Sequence, residues 1–311
     1  MAGLPARVLQ DLSGTVCPLC GSASVTIYAD EKDQDLAPSS IGSSRRDVSH
    51  GRILRCNACG FGFRQLRSAD HELSSLYRDL DPEMYEREGR GRSRTARHHL
   101  KIVQRFVNGG NLLDVGCASG IFLRQASEAG WRVVGVEPST VLCAKAEKLL
   151  GDRGRVHCTT LQQANLSAAS FDVVTLWDVL EHVPDPLAFV RHCTILLRPD
   201  GYLFVNVPDL DSTLARFFGR RWPLLLAEHL NYFNRASLRL CGEKAQLQLL
   251  HFGQRPARFS VEYVLYRLEQ HNVMGAKLCR HVVGGDWARR ATIPVWLGET
   301  FAVWRKSADR S

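Results

Sequence analysis

The sequence predicts a doubly wound α/β domain with a small metal-binding module in front of it. Three observations carry this. From Asn111 onward, apolar strand-like runs alternate with amphipathic segments; one such run ends in an acid and a turn of small residues, LLDVGCASG; and four of the ten cysteines sit in two CxxCG units near the N-terminus. Strands alternating with helices of about 10 to 15 residues imply crossovers and a parallel sheet covered on both faces. A chain of 311 residues with 45% hydrophobic content can bury such a core and still carry a small module.

The cysteine module comes first along the chain. CPLCG supplies Cys17 and Cys20, and RCNACGFGF supplies Cys56 and Cys59. Each CxxC turn lets two thiolates reach one ion while the following Gly relieves the backbone, and two such knuckles complete a tetrahedral site, for which zinc is the expected metal. Four thiolates leave no open position, so the zinc reads as structural, stabilising a ribbon over residues 1–66 that is too small to fold on its own core. The stretch DEKDQDLAPSSIGSSRRD between the knuckles is polar, with Pro, Gly and Ser, and reads as a loop.

Residues 67–110 read as a helical cap or linker. Between Glu86 and Arg105 it carries seven Lys or Arg against two Glu, either a solvated helix face or an anion-facing entrance. The main domain then spans 111–311: LLDV, SGIFLRQASEAG, WRVVGVE, PSTVLCAKAEKLL, RVHC, FDVVTLW, DPLAFVRHCTILLRPDG and YLFVNVP, with an insertion near 208–235 and a last strand, GETFAVWRK, expected at the sheet edge. Doubly wound sheets bind ligands outside the carboxyl ends of their strands, where strand order reverses. The candidates are therefore the residues that close each strand: Asp114 to Gly120, Glu137, the turn after Cys158, and Trp177 to His182. Gly116 and Gly120 let backbone approach a ligand before a helix begins, and Glu137, 23 positions after Asp114, can take both hydroxyls of a ribose.

Taken together, LLDVGCASG, VVGVEPS, FDVVTLWDVLEHVPDP and LLRPDGYLFVNVPD resemble the Rossmann-like S-adenosylmethionine-dependent methyltransferases, in particular the small-molecule group that includes ubiquinone O-methyltransferases and sugar methyltransferases. The resemblance covers about residues 85–255 and implies a mostly parallel sheet of seven strands. It places Asp114, Gly116, Ala118 and Gly120 around the methionine part of the cofactor, Glu137 and Pro138 at the ribose, Leu161 against the adenine, and Trp177 and Asp178 at the methyl-bearing side. Tyr85 and Arg94 would close over the amino-acid end. Ala118 departs from the family's glycine at the middle of that turn, and CTTLQQANLS lacks the acid that many relatives place near the adenine amine.

The same resemblance makes His182 the first choice for a general base, and EHLNYFNRASL adds His229, with Asn231 lining an acceptor pocket, Tyr232 and Phe233 either lining it or packing in the core, and Arg220, Arg221 and Trp222 covering it. Asn234 and Ser237 are expected to cap the helix that starts near Arg235. Asp178, Glu181 and His182 also resemble a set that binds a divalent ion in some ubiquinone-pathway enzymes. Residues 259–295, with Tyr263, Tyr266 and Arg267, read as further pocket wall or as the contact of a homodimer.

The expected activity is methyl transfer to an oxygen or carbon of a small acceptor such as a sugar, lipid-linked or quinone-like intermediate. A net charge of +8 is compatible with an anionic acceptor. Two alternatives stand beside it: a zinc-ribbon RNA methyltransferase, since a basic chain also suits phosphate, and a non-catalytic zinc-ribbon scaffold with a decayed cofactor domain. LWDVLEH after the fourth strand differs from the Pro-rich DPPY or NPPY of base-amine enzymes. No apolar run approaches the roughly 20 residues of a membrane span, and the N-terminus lacks the apolar core of a signal peptide. The chain therefore reads as cytoplasmic, with its cysteines reduced, ligating or buried rather than disulfide-bonded.

Overall fold

The structure is a computed structural model, and it describes residues 12, 14–30, 51–65, 89–254, 256–270 and 286–307. Its centre is a seven-stranded sheet. The chain lays down β4 (Asn111–Val115), β5 (Arg132–Val136) and β6 (Gly154–His157) outward in one direction, then returns to place β7 (Phe171–Trp177) and β8 (Leu197–Pro208) on the other side of β4. All five are parallel, with Asp114 opposite Gly135 on one side and Thr175 on the other. The reversal between β4 and β7 is the switch point that the alternating pattern implies.

The far side of the sheet differs from expectation. Beyond β10 (Leu247–Gln254), β11 (Ala257–Ser260) and β12 (Thr292–Val295) pair with each other, and the last strand, β13 (Glu299–Lys306), is not at the edge: it runs antiparallel between β8 and β10, which leaves β10 as the edge strand. No strand is predicted over LQLLHFGQ, whose polar and apolar residues alternate only loosely; the pairing with β13 is what makes it one.

Alternate side chains of the central strands point to opposite faces, as the period of two demands. On one face Leu113, Val174, Leu203 and Val205 pack with Val190 of α4 (Pro186–Leu196) and Leu238 of α6 (Arg235–Lys244). On the other, Leu112, Val173, Phe204 and Phe301 pack with Val103 of α1 (Gly89–Val103) and Leu123 of α2 (Ile121–Glu128). The helix α3 (Thr140–Leu150) begins at Ser139, whose hydroxyl accepts from the Leu142 amide, and closes back on β6. There Cys143 and Cys158 have Cα atoms 5.5 Å apart and form a disulfide. This corrects the expectation that no cysteine pairs: the packing of α3 on β6 brings the two within bridging reach. Cys117, Cys193 and Cys241 are buried and free.

The N-terminal module folds as β1 (Val25–Ala29), β2 (Ile53–Cys56) and β3 (Gly62–Arg64), and its sheet continues into the main chain through β9 (Asn231–Tyr232), which pairs with β3. Phe61 meets Phe233 edge-on at 5.0 Å, and Arg55 donates to Asp211 at 2.8 Å. The loop between the knuckles lies outside the described residues, as do residues 66–88.

The helix α6 is capped as its sequence predicts. Asn234 Oδ1 accepts from the Ser237 amide at 2.8 Å, Ser237 Oγ accepts from the Asn234 amide at 2.9 Å, and Asn234 Nδ2 also donates to Asp211 at 2.7 Å. Asn234→Ala removes the cap and one bond to a carboxylate together; urea unfolding should show a loss of about 1–2 kcal/mol.

Candidate active site

The site is assembled from strand ends. At the end of β4, Asp114 is buried and its carboxylate accepts from Thr175 Oγ1 of the neighbouring strand at 2.6 Å. Burial pushes its pKa up to about 7, the nearby Glu137 adds to the rise, and the Thr175 bond opposes it. Glu137, also buried at the end of β5, accepts from the Ala118 amide and the Ser139 amide, both at 2.9 Å. Its carboxylate thus braces the turn after β4, and burial raises its pKa against those two bonds.

That turn has the geometry its glycines allow. Gly116 has φ +71°, and a Cβ there would lie 2.6 Å from Val179 Cγ2; Gly120 has φ +79°, and a Cβ would lie 3.0 Å from the Ala146 backbone. Ala118 adopts φ +48° with a side chain that disfavours it. Pro138 is exposed beside Glu137, and Leu161 is buried in the turn that follows Cys158.

At the end of β7, Trp177 stacks between His99 of α1, 3.9 Å away, and Phe301 of β13, 6.0 Å away. Asp178 takes φ +57° and accepts from Asn206 Nδ2 at 2.6 Å. The same Asn206 amide reaches Glu299 Oε2 at 3.3 Å. Burial, with Asp178 beside it, pushes Glu299 up to about 8. Sequence reasoning missed Asn206 and Glu299, since an amide inside a strand and an acid at the start of one carry no motif.

The two histidines come together. His182 Nδ1 bonds the Glu228 carbonyl and His229 Nδ1 bonds the Leu224 carbonyl, each at 2.9 Å, and the rings meet edge-on at 4.8 Å. Donation from Nδ1 to a carbonyl fixes the tautomer and leaves Nε2 as the basic nitrogen. Burial pulls His182 down to about 4, and burial together with the neighbouring His182 holds His229 well below the ordinary histidine value. Glu181 is buried beside them, 4.0 Å from His182 Nε2, and its Oε2 has no hydrogen-bond partner. Burial and the neighbouring acids Asp178, Glu299 and Glu228 raise its pKa. The donor atoms of Glu181, His182 and His229 all lie within 4.8 Å of one another. The carboxylate–imidazole cluster therefore includes His229 in place of the expected Asp178, whose carboxylate is turned to Asn206.

The rest of the insertion is a brace for this cluster. The Leu230 amide donates to the Glu181 carbonyl at 2.7 Å, and Asn231 Nδ2 donates to the Val183 carbonyl at 2.6 Å. From the other side, the Arg64 amide donates to the Leu230 carbonyl and Arg64 Nη1 to the Ala227 carbonyl, both at 2.8 Å. The cysteine module thus holds the His229 segment by its backbone. Tyr232 and Phe233 take the core-packing alternative and are fully buried; Trp222, expected to cover a pocket, is buried as well, with Nε1 on the Leu297 carbonyl, while Arg220 and Arg221 are exposed. Arg94 is exposed and donates to Thr292 Oγ1 at 2.5 Å, while Tyr85 lies outside the described residues.

The four thiols fit a zinc ribbon. Cys17 and Cys59 Sγ are 3.7 Å apart and Cys20 and Cys56 Sγ 3.5 Å, near the roughly 3.8 Å edge of a tetrahedron with Zn–S bonds of about 2.3 Å. The two knuckles match: Gly21 N–H bonds the Cys17 carbonyl as Gly60 N–H bonds that of Cys56.

Acidic strand ends at a switch point, joined through a left-handed turn to a helix, define a Rossmann-like domain of the nucleotide-cofactor class. A family model described as "Methyltransferase domain" matches residues 86–252, more than half of the chain, and the chain belongs to that family of S-adenosylmethionine-dependent methyltransferases. Curated relatives include ubiquinone biosynthesis O-methyltransferases from Actinobacillus pleuropneumoniae, 37% identical over 129 residues (38% of this chain, 54% of the relative), and Haemophilus ducreyi, 39% identical over 117 residues (35% and 49%). The chain spans about half the length of these relatives. Among solved structures, the complex between the Haloferax volcanii Trm112 methyltransferase activator and a methyltransferase matches with a TM-score of 0.53 at 14% identity, covering 78% of this chain and 100% of that one; it shares the fold. Among the described residues no helix is long and apolar enough to cross a membrane.

Ala118→Gly removes the only methyl group that the turn after β4 holds in a left-handed conformation. Because that conformation costs a non-glycine residue about 1 kcal/mol or more, partly offset by the entropy glycine loses on folding, the variant should gain up to about 1 kcal/mol in thermal or urea unfolding.

Proposed function

We propose that this protein transfers the methyl group of S-adenosylmethionine to an oxygen, or a carbon, of a small-molecule acceptor. The observation that supports this best is the convergence at one sheet edge: Asp114 and Glu137 close adjacent strands at the switch point, and the His182–His229 pair follows the next strand. In this reading Asp114, Gly116, Ala118 and Gly120 hold the methionine part, Glu137 and Pro138 the ribose, and Leu161 the adenine, while Trp177 and Asp178 face the methyl group. Arg94, with Tyr85, closes the amino-acid end. Methyl transfer from a sulfonium is an in-line displacement, so alignment is the main barrier, and orientation can contribute on the order of 7–11 kcal/mol in the best cases.

An oxygen acceptor loses a proton as it gains the methyl. A neutral imidazole takes that proton at Nε2, and burial keeps both histidines neutral at pH 7. The ordinary histidine pKa of about 6.5 lies above the folded value of His182, so neutrality of that ring extends well below pH 7. The protein-bound acceptor class is a sugar, lipid-linked or quinone-like small molecule, and a soluble, cytoplasmic setting fits it. The zinc held by Cys17, Cys20, Cys56 and Cys59 is structural: it fixes the module whose Arg64 holds the His229 segment.

One observation favours a further reading, a divalent ion beside the acceptor. Glu181, His182 and His229 gather their donor atoms, and each imidazole is oriented from Nδ1 by a carbonyl, as metal-ligating histidines are. Such an ion would polarise the acceptor oxygen.

Glu137→Ala should lower affinity for S-adenosylhomocysteine roughly 10- to 100-fold in calorimetry, the range for losing charge-assisted bonds to the ribose. Unchanged affinity would refute the ribose assignment. His229→Ala should lower kcat by about 10²- to 10⁴-fold with cofactor affinity retained. A loss of cofactor affinity in step with kcat would count against its role on the acceptor side.

A further inference from the structure

The insertion after β8 carries a second feature, on the side away from its buried anchors. Helix α5 (Thr213–Phe218) turns Ala215 into the core and leaves Phe217 79% and Phe218 43% exposed, their rings in edge contact at 5.1 Å. Two adjacent phenylalanines displayed to water cost free energy that a self-contained surface would not spend. Around them, Arg216, Arg220 and Arg221 are exposed as well, so three cations stand within six residues. The acid of this segment, Asp211, is engaged by Arg55 and Asn234 and lies 3.9 Å from Arg216. Trp222 ends the run in the core and binds the Leu297 carbonyl, which ties to this face the segment where Trp296 is 56% exposed.

Exposed aromatic rings interleaved with arginines are the chemistry of an interfacial anchor. The rings enter the boundary between headgroups and acyl chains while the guanidinium groups meet lipid phosphates. We propose that the Phe217–Phe218 face docks on a bilayer that carries anionic lipid, as a peripheral contact. The charge complementarity argues for this occupant over a second copy of the chain, since two such faces would bring six arginines together. Docking brings the enzyme to a lipid surface and so favours, within the reading above, a lipid-linked acceptor. That last consequence rests on the proposed function; the docking itself does not.

The test uses the full chain without cofactor or acceptor, so its outcome is independent of methyl transfer. Sedimentation with phosphatidylcholine vesicles, with and without phosphatidylglycerol, should show binding only when the anionic lipid is present. The double variant Phe217→Ser, Phe218→Ser, which replaces two exposed rings, should lose binding by about tenfold or more while the cooperative thermal transition is retained. Arg220→Ser and Arg221→Ser should each weaken it by roughly fivefold. Absence of vesicle binding, or equal binding by the wild type and the Phe double variant, would overturn the proposal. So would sedimentation velocity showing a dimer that the Phe double variant dissociates, or binding of a single-stranded RNA probe that depends on the arginines while vesicles are ignored.

Discussion

A parallel sheet has to be covered on both faces, because its connections are helices that must pack somewhere. In this chain α1 and α2 cover one face, and α4 and α6 cover the other. What remains open is the carboxyl edge, and the reversal of strand order between β4 and β7 keeps two helices from closing over it. The site depends on that constraint. Asp114 and Glu137 come together because they end neighbouring strands, Trp177 closes the strand on the other side of β4, and the turn after β4 takes its left-handed path because a strand must become a helix within a few residues.

A second constraint comes from the N-terminal module. Its three short strands cannot bury enough apolar area alone. The chain satisfies them twice over, with a cluster of four thiols at one end and a fourth strand, β9, at the other. Borrowing β9 has a consequence for the site, because β9 directly follows His229. The backbone that completes the module's sheet is the backbone that Leu230 and Asn231 press against the His182 turn. Thiol cluster, sheet and imidazole pair are mechanically in series.

The parts of this arrangement that rest on local chemistry could be read in the sequence. The strand-turn-helix LLDVGCASG, the acid Glu137, the CxxC knuckles and the Asn234–Ser237 cap are each a short pattern with one physical cause. Parts that rest on contacts between distant segments could not. The edge strand LQLLHFGQ exists because β13 pairs with it, and the disulfide because α3 folds back on β6. Tyr232 and Phe233 read equally as pocket walls or core, because an aromatic residue beside a histidine has the same appearance in either place; only burial separates the two. Glu299 joins Asp178 through one amide, Asn206, across 93 residues of sequence, and no periodicity reports such a meeting.

The electrostatics of the edge follow from burial acting on both signs of group. It holds His182 and His229 neutral and raises Asp114, Glu181 and Glu299 toward protonation. The sign of each contribution to stability differs. A histidine with a depressed folded pKa stabilises the fold above about 6.5 and loses that contribution as pH falls toward 4. A carboxyl group with a raised folded pKa favours the fold at low pH and costs stability as pH climbs from its ordinary range to about 7, as for Asp114. Between roughly pH 4 and 6.5 the two trends oppose one another, which flattens the dependence of stability on pH. The same acids raise one another, Glu137 acting on Asp114 and Asp178 on both Glu181 and Glu299. A ligand bearing a sulfonium and an ammonium reverses that effect, since positive charge next to a buried carboxyl favours its ionised form. Positive charge beside these buried carboxyls therefore offsets more of the cost of gathering them than a neutral ligand of the same shape would.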